Sequence, residues 1–269
     1  SRNCKKFRKT KDPKCNDQPG CNWTVGQGCL SSSFVTEPIV TEPIVTEPIK
    51  PIKPIKPTKP TKPIVSDNCL TSGYKKNWSF KSVMLAHTFR DNKTGKIKKP
   101  PKNTPQAPNG WFLSEKYDGF RAIWDGKDFR SRTNKIFNAP TWFKLWMPPG
   151  IVLDGELFLG RCNFQSCALI NRKVPRDEEW VDVRYQIFDA PTHPGMFEER
   201  YEFIKSLIIN RCNNCKGFNT PCPLNLTEQT KVNSEEEMKS IFEDLISKGA
   251  EGVMLRAPNS PYETKRSSY

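Results

Sequence analysis

The sequence predicts an α+β domain over residues 78–269, preceded by two segments unable to build a core of their own. Three observations carry this. Strand-like and helix-like runs are interspersed from about Trp78 onward. A proline repeat covers residues 35–63, "VTEPI" three times and then "KPI", "KPI", "KPT", "KPT". The charge is lopsided: residues 1–110 hold 21 Lys/Arg against 7 Asp/Glu, residues 111–269 hold 22 against 22, so the net +14 belongs to the N-terminal part.

Residues 1–30 form a basic module around Cys4, Cys15, Cys21 and Cys29. So short a span gains little from burial, and four cysteines fit either one zinc ion or two disulfides. The gaps of ten, five and seven residues lack the C-x-x-C knuckle of most zinc sites. The module names no partner. Residues 31–77 read as a linker: proline at every third or fifth position removes amide donors and keeps a chain extended, so a spacer without regular structure is expected. The basic surplus suits a polyanion, held through phosphate contacts and counterion release, or a plain solvated arm.

Within residues 78–269, "WFLSEK" and "FRAIWDG" read as strands, and Asp125-Gly126-Lys127 as a hairpin turn into "FRSRT". "PTWFKLW" reads as a short helix after proline. "IVLDGELFLG" and "VRYQIFDA" alternate like half-buried strands, and "FEERYEFIKSLI" has helical apolar spacing. Ser234 with Glu237 predicts a capping box opening a helix that Gly249 closes, and "AEGVMLRA" follows as a strand. Two mainly antiparallel sheets with flanking helices are expected.

No apolar run approaches the ~20 residues of a membrane span, so no membrane partner is expected. The start "SRNCKKFRKT" is basic with no apolar region after it, which argues against a secretory signal. The sequons at Asn22 and Asn77 are therefore read as chance, and the ten cysteines as reduced thiols of an intracellular protein.

Five segments mix apolar flanks with charged centres: Lys116, Asp118 and Arg121 in "SEKYDGFRA", Arg132 in "SRT", Asp154 and Glu156 in "LDGELF", Asp189 in "QIFDAP", and Glu251 with Arg256 in "EGVMLR". Singly, each charge is best read as the solvent side of an alternating strand. Together they point to one cleft lined by opposed charges. There carboxylates can hold a divalent metal, arginines can grip phosphates, and Phe188 can stack on a base. Lys116 is then either a surface lysine or an amine nucleophile, which needs cations or desolvation to lower its free pKa of about 10.4.

"KYDGFR" at Lys116–Arg121 resembles the first motif of the covalent nucleotidyltransferases. "MLAHTF", "SEKYDGFRAIWDGKDFRSRT", "APTWF", "LDGELFLGR" and "EGVMLRAPNSPYE" resemble, in order, the adenylation domain of ATP-dependent DNA ligases, most of all the compact ligases of bacteria and large DNA viruses. The resemblance runs from about Val83 to the end. It implies ATP and Mg²⁺ (or Mn²⁺) as requirements, nicked double-stranded DNA as partner, and nick sealing in replication, repair and recombination. It implies that Lys116 attacks the α-phosphate of ATP and carries AMP. Glu115, Asp118, Arg121 and Arg266 would serve the nucleotide, and Arg132 the 5′-phosphate of the nick. Glu156 would hold the ribose, Phe188 would stack on adenine, and Glu251 with Glu156 would hold the metal. Those ligases continue past the "RSS" element into a strand with two lysines and a small OB barrel. This chain ends at "ETKRSSY", so a fragment, or a chain lacking that second domain, is expected. Two other functions share parts of the pattern: an RNA ligase or capping guanylyltransferase, and a nick-binding remnant without catalysis.

Overall fold

The structure, a computed structural model, describes residues 82–91, 93–97, 99–214 and 220–269, with two backbone strands nearer the N-terminus. Those two, β1 (Cys21–Thr24) and β2 (Gly28–Ser31), form an antiparallel hairpin in which Asn22 faces Leu30. It belongs to a unit of its own, residues 2–64, apart from the body at 65–269. Cys4, Cys15, Cys215 and the linker beyond Ser31 lie outside the described residues.

Among the described residues the body contains two sheets. The smaller is built on β3 (Trp111–Lys116), with β10 (Thr230–Val232) on one side and β11 (Gly252–Arg256) on the other, both antiparallel to it. Its register sets Lys116 opposite Gly252 and Glu115 opposite Val253. The larger sheet has the order β6 (Ile136–Phe137), β5 (Phe129–Ser131), β4 (Phe120–Trp124), β7 (Leu153–Phe158), β8 (Arg184–Asp189), β9 (Leu224–Leu226). Its pairs are antiparallel except β8 with β9. The β4–β5 connection is the expected hairpin: Gly126 takes φ +94°, and the Asp125 amide donates to the Asp128 carbonyl at 3.0 Å. The strand read in "FRSRT" stops at Ser131, and Arg132 lies in the turn beyond it, so it is not on a strand.

The main core lies on the larger sheet, where Phe129, Phe143, Trp180 and Tyr185 are fully buried and meet edge to face or tilted. Tyr185 is satisfied there because its hydroxyl lies 3.0 Å from the carbonyls of Ala122 and Leu153. Helix α1 (Thr141–Leu145) begins after Pro140 and is closed from another helix. Arg211 of α2 (Phe197–Asn214) donates to the carbonyls of Leu145, Trp146 and Met147 at 2.7, 3.0 and 3.0 Å. These are carbonyls that a helix end leaves without partners. Helix α3 (Glu235–Ser247) starts at the predicted cap, with Ser234 Oγ accepting from the Glu237 amide at 3.1 Å. Glu237 reaches back to the Asn233 amide, one residue earlier than the capping-box pattern has it.

Cys212 and Cys222 are joined by a disulfide, with Cα atoms 5.7 Å apart. This corrects the expectation of reduced thiols throughout: Cys212, near the end of α2, and Cys222, just before β9, lie within bonding distance of each other. Cys162 and Cys167 are thiols.

Candidate active site

Lys116 ends β3, and Glu251 immediately precedes β11, so the register of these neighbouring strands brings their side chains together. Lys116 Nζ lies 2.5 Å from Glu251 Oε2, with the lysine 45% and the glutamate 24% exposed. The larger sheet supplies the opposite wall. The β3–β4 turn presses onto β7 at Gly119, where a Cβ would sit 2.4 Å from the Leu157 carbonyl oxygen. Only glycine permits that approach, which also brings the turn after Lys116 against Glu156, whose Cγ would lie 3.0 Å from the same Cβ.

Arg121 points from β4 into the same space. Asp154 grips it through both oxygens, at 3.0 Å from Nε and 2.6 Å from Nη2, and Nη1 donates to the Met84 carbonyl at 2.7 Å. Tyr262 donates its hydroxyl to the same carboxylate at 2.7 Å. Burial works against the Arg121 charge, but Asp154 overrides it and holds the guanidinium above its ordinary pKa. The guanidinium carbon lies 5.4 Å from the centre of the Phe188 ring.

Lys116, Glu115, Asp118, Arg121, Arg132, Glu156, Phe188, Glu251 and Arg256 all line one cavity of about 760 Å³. Asp154 and Asp189, which the sequence reading set among the cleft residues, are fully buried behind it instead. Asp154 orders Arg121, and Asp189 receives both Arg200, at 2.7 and 3.2 Å, and Arg256. The physical reason for the correction is that a carboxylate fully withdrawn from water needs charged donors around it, and these have them. Arg266 is exposed, lies outside the lining of this cavity, and donates to the Ala86 carbonyl. Sequence reasoning missed the grip of Arg161 on Glu115 and the place of Tyr262, because pairs 46 and 108 residues apart leave no periodic signal. It also gave no function to residues 84–90, which include "MLAHTF" and line the cavity.

Burial pushes the Glu156 carboxyl up to about 8, with Asp154 and Glu251 adding to the rise and Arg121 and Lys116 opposing it. Its ordinary value is 4.5, so between about pH 4.5 and 8 the folded state holds a proton that the unfolded state has lost. This group therefore favours the folded state most below pH 4.5, and that contribution falls away as pH rises to about 8. Glu156→Gln has no proton to lose. Its gain over wild type should grow steadily from about pH 4.5 to pH 8, as read from urea midpoints at acid and alkaline pH. An equal effect at both pH values would contradict the raised carboxyl.

Among the described residues no group of three or more His, Cys, Asp and Glu side chains is placed to hold a metal ion. Glu156 and Glu251 nevertheless face the cavity together. That pair fits a magnesium ion, which is usually held by one or two carboxylates plus substrate phosphates and water.

Residues 83–269 match the family model of the ATP-dependent DNA ligase domain. A DNA ligase of Haemophilus influenzae is 29% identical over 186 residues, covering 69% of this chain and 60% of that protein. One from Archaeoglobus fulgidus is 26% identical over 170 residues, covering 55% of this chain and 28% of that protein. Among solved structures, a Lig E DNA ligase matches with TM-score 0.54 and 28% identity, covering 70% of this chain and 66% of that one. The Chlorella virus DNA ligase–adenylate shares the fold, with TM-score 0.55 and 21% identity, covering 70% and 65%. The chain thus spans less than two thirds of the length of each of these relatives.

Proposed function

The chain belongs to the ATP-dependent DNA ligase domain family, and from that premise we propose that it takes AMP from ATP onto Lys116 and passes it to the 5′-phosphate of nicked double-stranded DNA. The observation that carries the reading is the meeting of Lys116, Glu251, Glu156, Arg121 and Phe188 in one cavity. Lys116 Nζ attacks the α-phosphorus. A nitrogen–phosphorus bond forms, the bond to the bridging oxygen breaks, and pyrophosphate leaves. Lys116 is half-exposed, so the proton its ammonium loses before attack has a route to water. An oxygen of the nick's 5′-phosphate then displaces the lysine, and attack by the 3′-hydroxyl seals the strand and releases AMP.

Phe188 offers a face for adenine, and Asp154 and the Met84 carbonyl hold Arg121 in place across it. Arg132, on its exposed turn, is assigned to the nick phosphate. Glu156 is assigned to the ribose hydroxyls, from which its carboxylate oxygens can accept. Bound Mg²⁺, held by Glu251 and Glu156, would neutralise charge on the phosphates. Efficient sealing is assigned to a longer polypeptide carrying an OB barrel, since positioning and charge neutralisation supply most of the catalysis in phosphoryl transfer. An intracellular setting, where ATP and nicked DNA occur, goes with this reading.

The test is covalent labelling. With Mg²⁺ and α-labelled ATP the protein should acquire one AMP, stable to base and labile to acid, on the peptide containing Lys116. Labelling from GTP instead would favour a capping-type enzyme. For DNA, the basic N-terminal part predicts a salt effect. Removing residues 1–66 takes away 12 Lys/Arg and 5 Asp/Glu, so affinity should fall similarly on all sequences and the slope of log K against log salt should become shallower. An unchanged slope would leave the arm as a tether.

A further inference from the structure

The loop after β7 meets a residue close in sequence to each member of the Lys116–Glu251 pair, Glu115 and Gly249. Arg161 donates from Nε and Nη2 to the two oxygens of Glu115, at 2.8 and 2.7 Å, so the larger sheet's loop grips the residue immediately before Lys116. The same loop rests on Gly249: a Cβ there would lie 3.2 Å from Cys162 Sγ and 3.8 Å from Arg161 Cβ. Gly249 has φ +85°, a left-handed conformation suited to glycine, in the turn that delivers Glu251 two residues later. Glu115 lines the cavity, yet both its oxygens are engaged by the guanidinium fork and its side chain is only 13% exposed.

We propose that Arg161, acting through Glu115, is a positioning residue that pins the smaller sheet to the larger one so that Lys116 and Glu251 meet, and that the Glu115 carboxylate serves this clamp rather than the nucleotide. The inference rests on Lys116 being the AMP acceptor. A clamp of this kind touches no part of ATP, so breaking it lowers the rate of attack and leaves nucleotide binding in place. A nucleotide ligand, by contrast, reveals itself in KM.

Single-turnover uptake of labelled AMP separates the two. Arg161→Ala and Glu115→Ala should each slow uptake about tenfold with the KM for ATP within about twofold, and the double variant should be no slower than either single one. Arg161→Lys keeps the charge but loses the fork, and should recover part of the rate at an unchanged melting temperature. The clamp is overturned if Glu115→Ala raises KM several-fold while Arg161→Ala does not, or if the two losses multiply. Should wild type take up no AMP at all, the proposed function fails on its own account. Amide exchange then decides the clamp: Arg161→Ala should speed exchange at residues 113–116 and 250–252 together, and unchanged exchange there refutes it.

Discussion

Lys116→Arg should take up no AMP, and Lys116→Ala should take up none either. Arginine keeps the positive charge and can still pair with Glu251, so if Lys116 served only the ion pair, the arginine variant would keep its function. A guanidinium, however, stays protonated and offers no lone pair to phosphorus. The expected loss is on the order of 10³-fold or more, as for removal of a nucleophile elsewhere. The fold should be almost untouched, because a half-exposed ion pair contributes only about 0–1 kcal/mol. Labelled ATP, a denaturing gel and a melting curve read both quantities. Retention of label in the arginine variant would place the AMP on another residue and remove Lys116 from the chemistry.

Asp189→Asn should be the most damaging of the single stability changes considered. Asp189 is fully buried, and two arginines depend on it: Arg200, 1% exposed, and Arg256, 19% exposed. The amide that replaces the carboxylate carries no charge and turns an NH2 donor toward arginine nitrogens in place of one oxygen, so buried positive charge is left uncompensated. Breaking such a pair from one side costs about 3–5 kcal/mol, a large part of the 5–15 kcal/mol that holds an ordinary domain folded. Arg256 comes from the smaller sheet and Asp189 from the larger, so the loss should also loosen the walls of the cavity and slow AMP uptake. A urea midpoint within about 1 kcal/mol of wild type would mean that the arginines find other acceptors. Removing the positive charges as well, by Asp189→Leu with Arg200→Met and Arg256→Met, should restore part of the stability while leaving uptake slow.

Local chemistry explains which elements could be read directly. The Asp125-Gly126 turn, the Ser234 cap and the helical spacing in 197–208 each act within a few residues, so letters and spacing suffice. Lys116 and Glu251 also lay in recognisable segments, and their membership of one cavity followed from the order of those segments. The cysteines and the buried acids resisted the same reading. An acidic residue on an alternating strand looks alike in sequence whether it faces a cleft, as Glu156 does, or is sealed beneath it, as Asp154 is.

What the chain determines by itself is therefore the α+β class, most of the longer strands and helices, and the set of charged residues from which the cavity is made. Those follow from backbone preference, side-chain periodicity and capping, which are short-range. Tertiary structure alone decided that β11 pairs with β3 across 136 residues, from Lys116 to Gly252, and so sets Glu251 against Lys116. It alone decided that Asp154 and Asp189 turn inward to hold arginines, that Arg266 donates to the Ala86 carbonyl, and that Arg161 crosses between the sheets to Glu115. The reason is energetic: a carboxylate's burial, and with it its role, is set by whether a distant donor arrives to compensate it, and no run of neighbouring letters records that arrival.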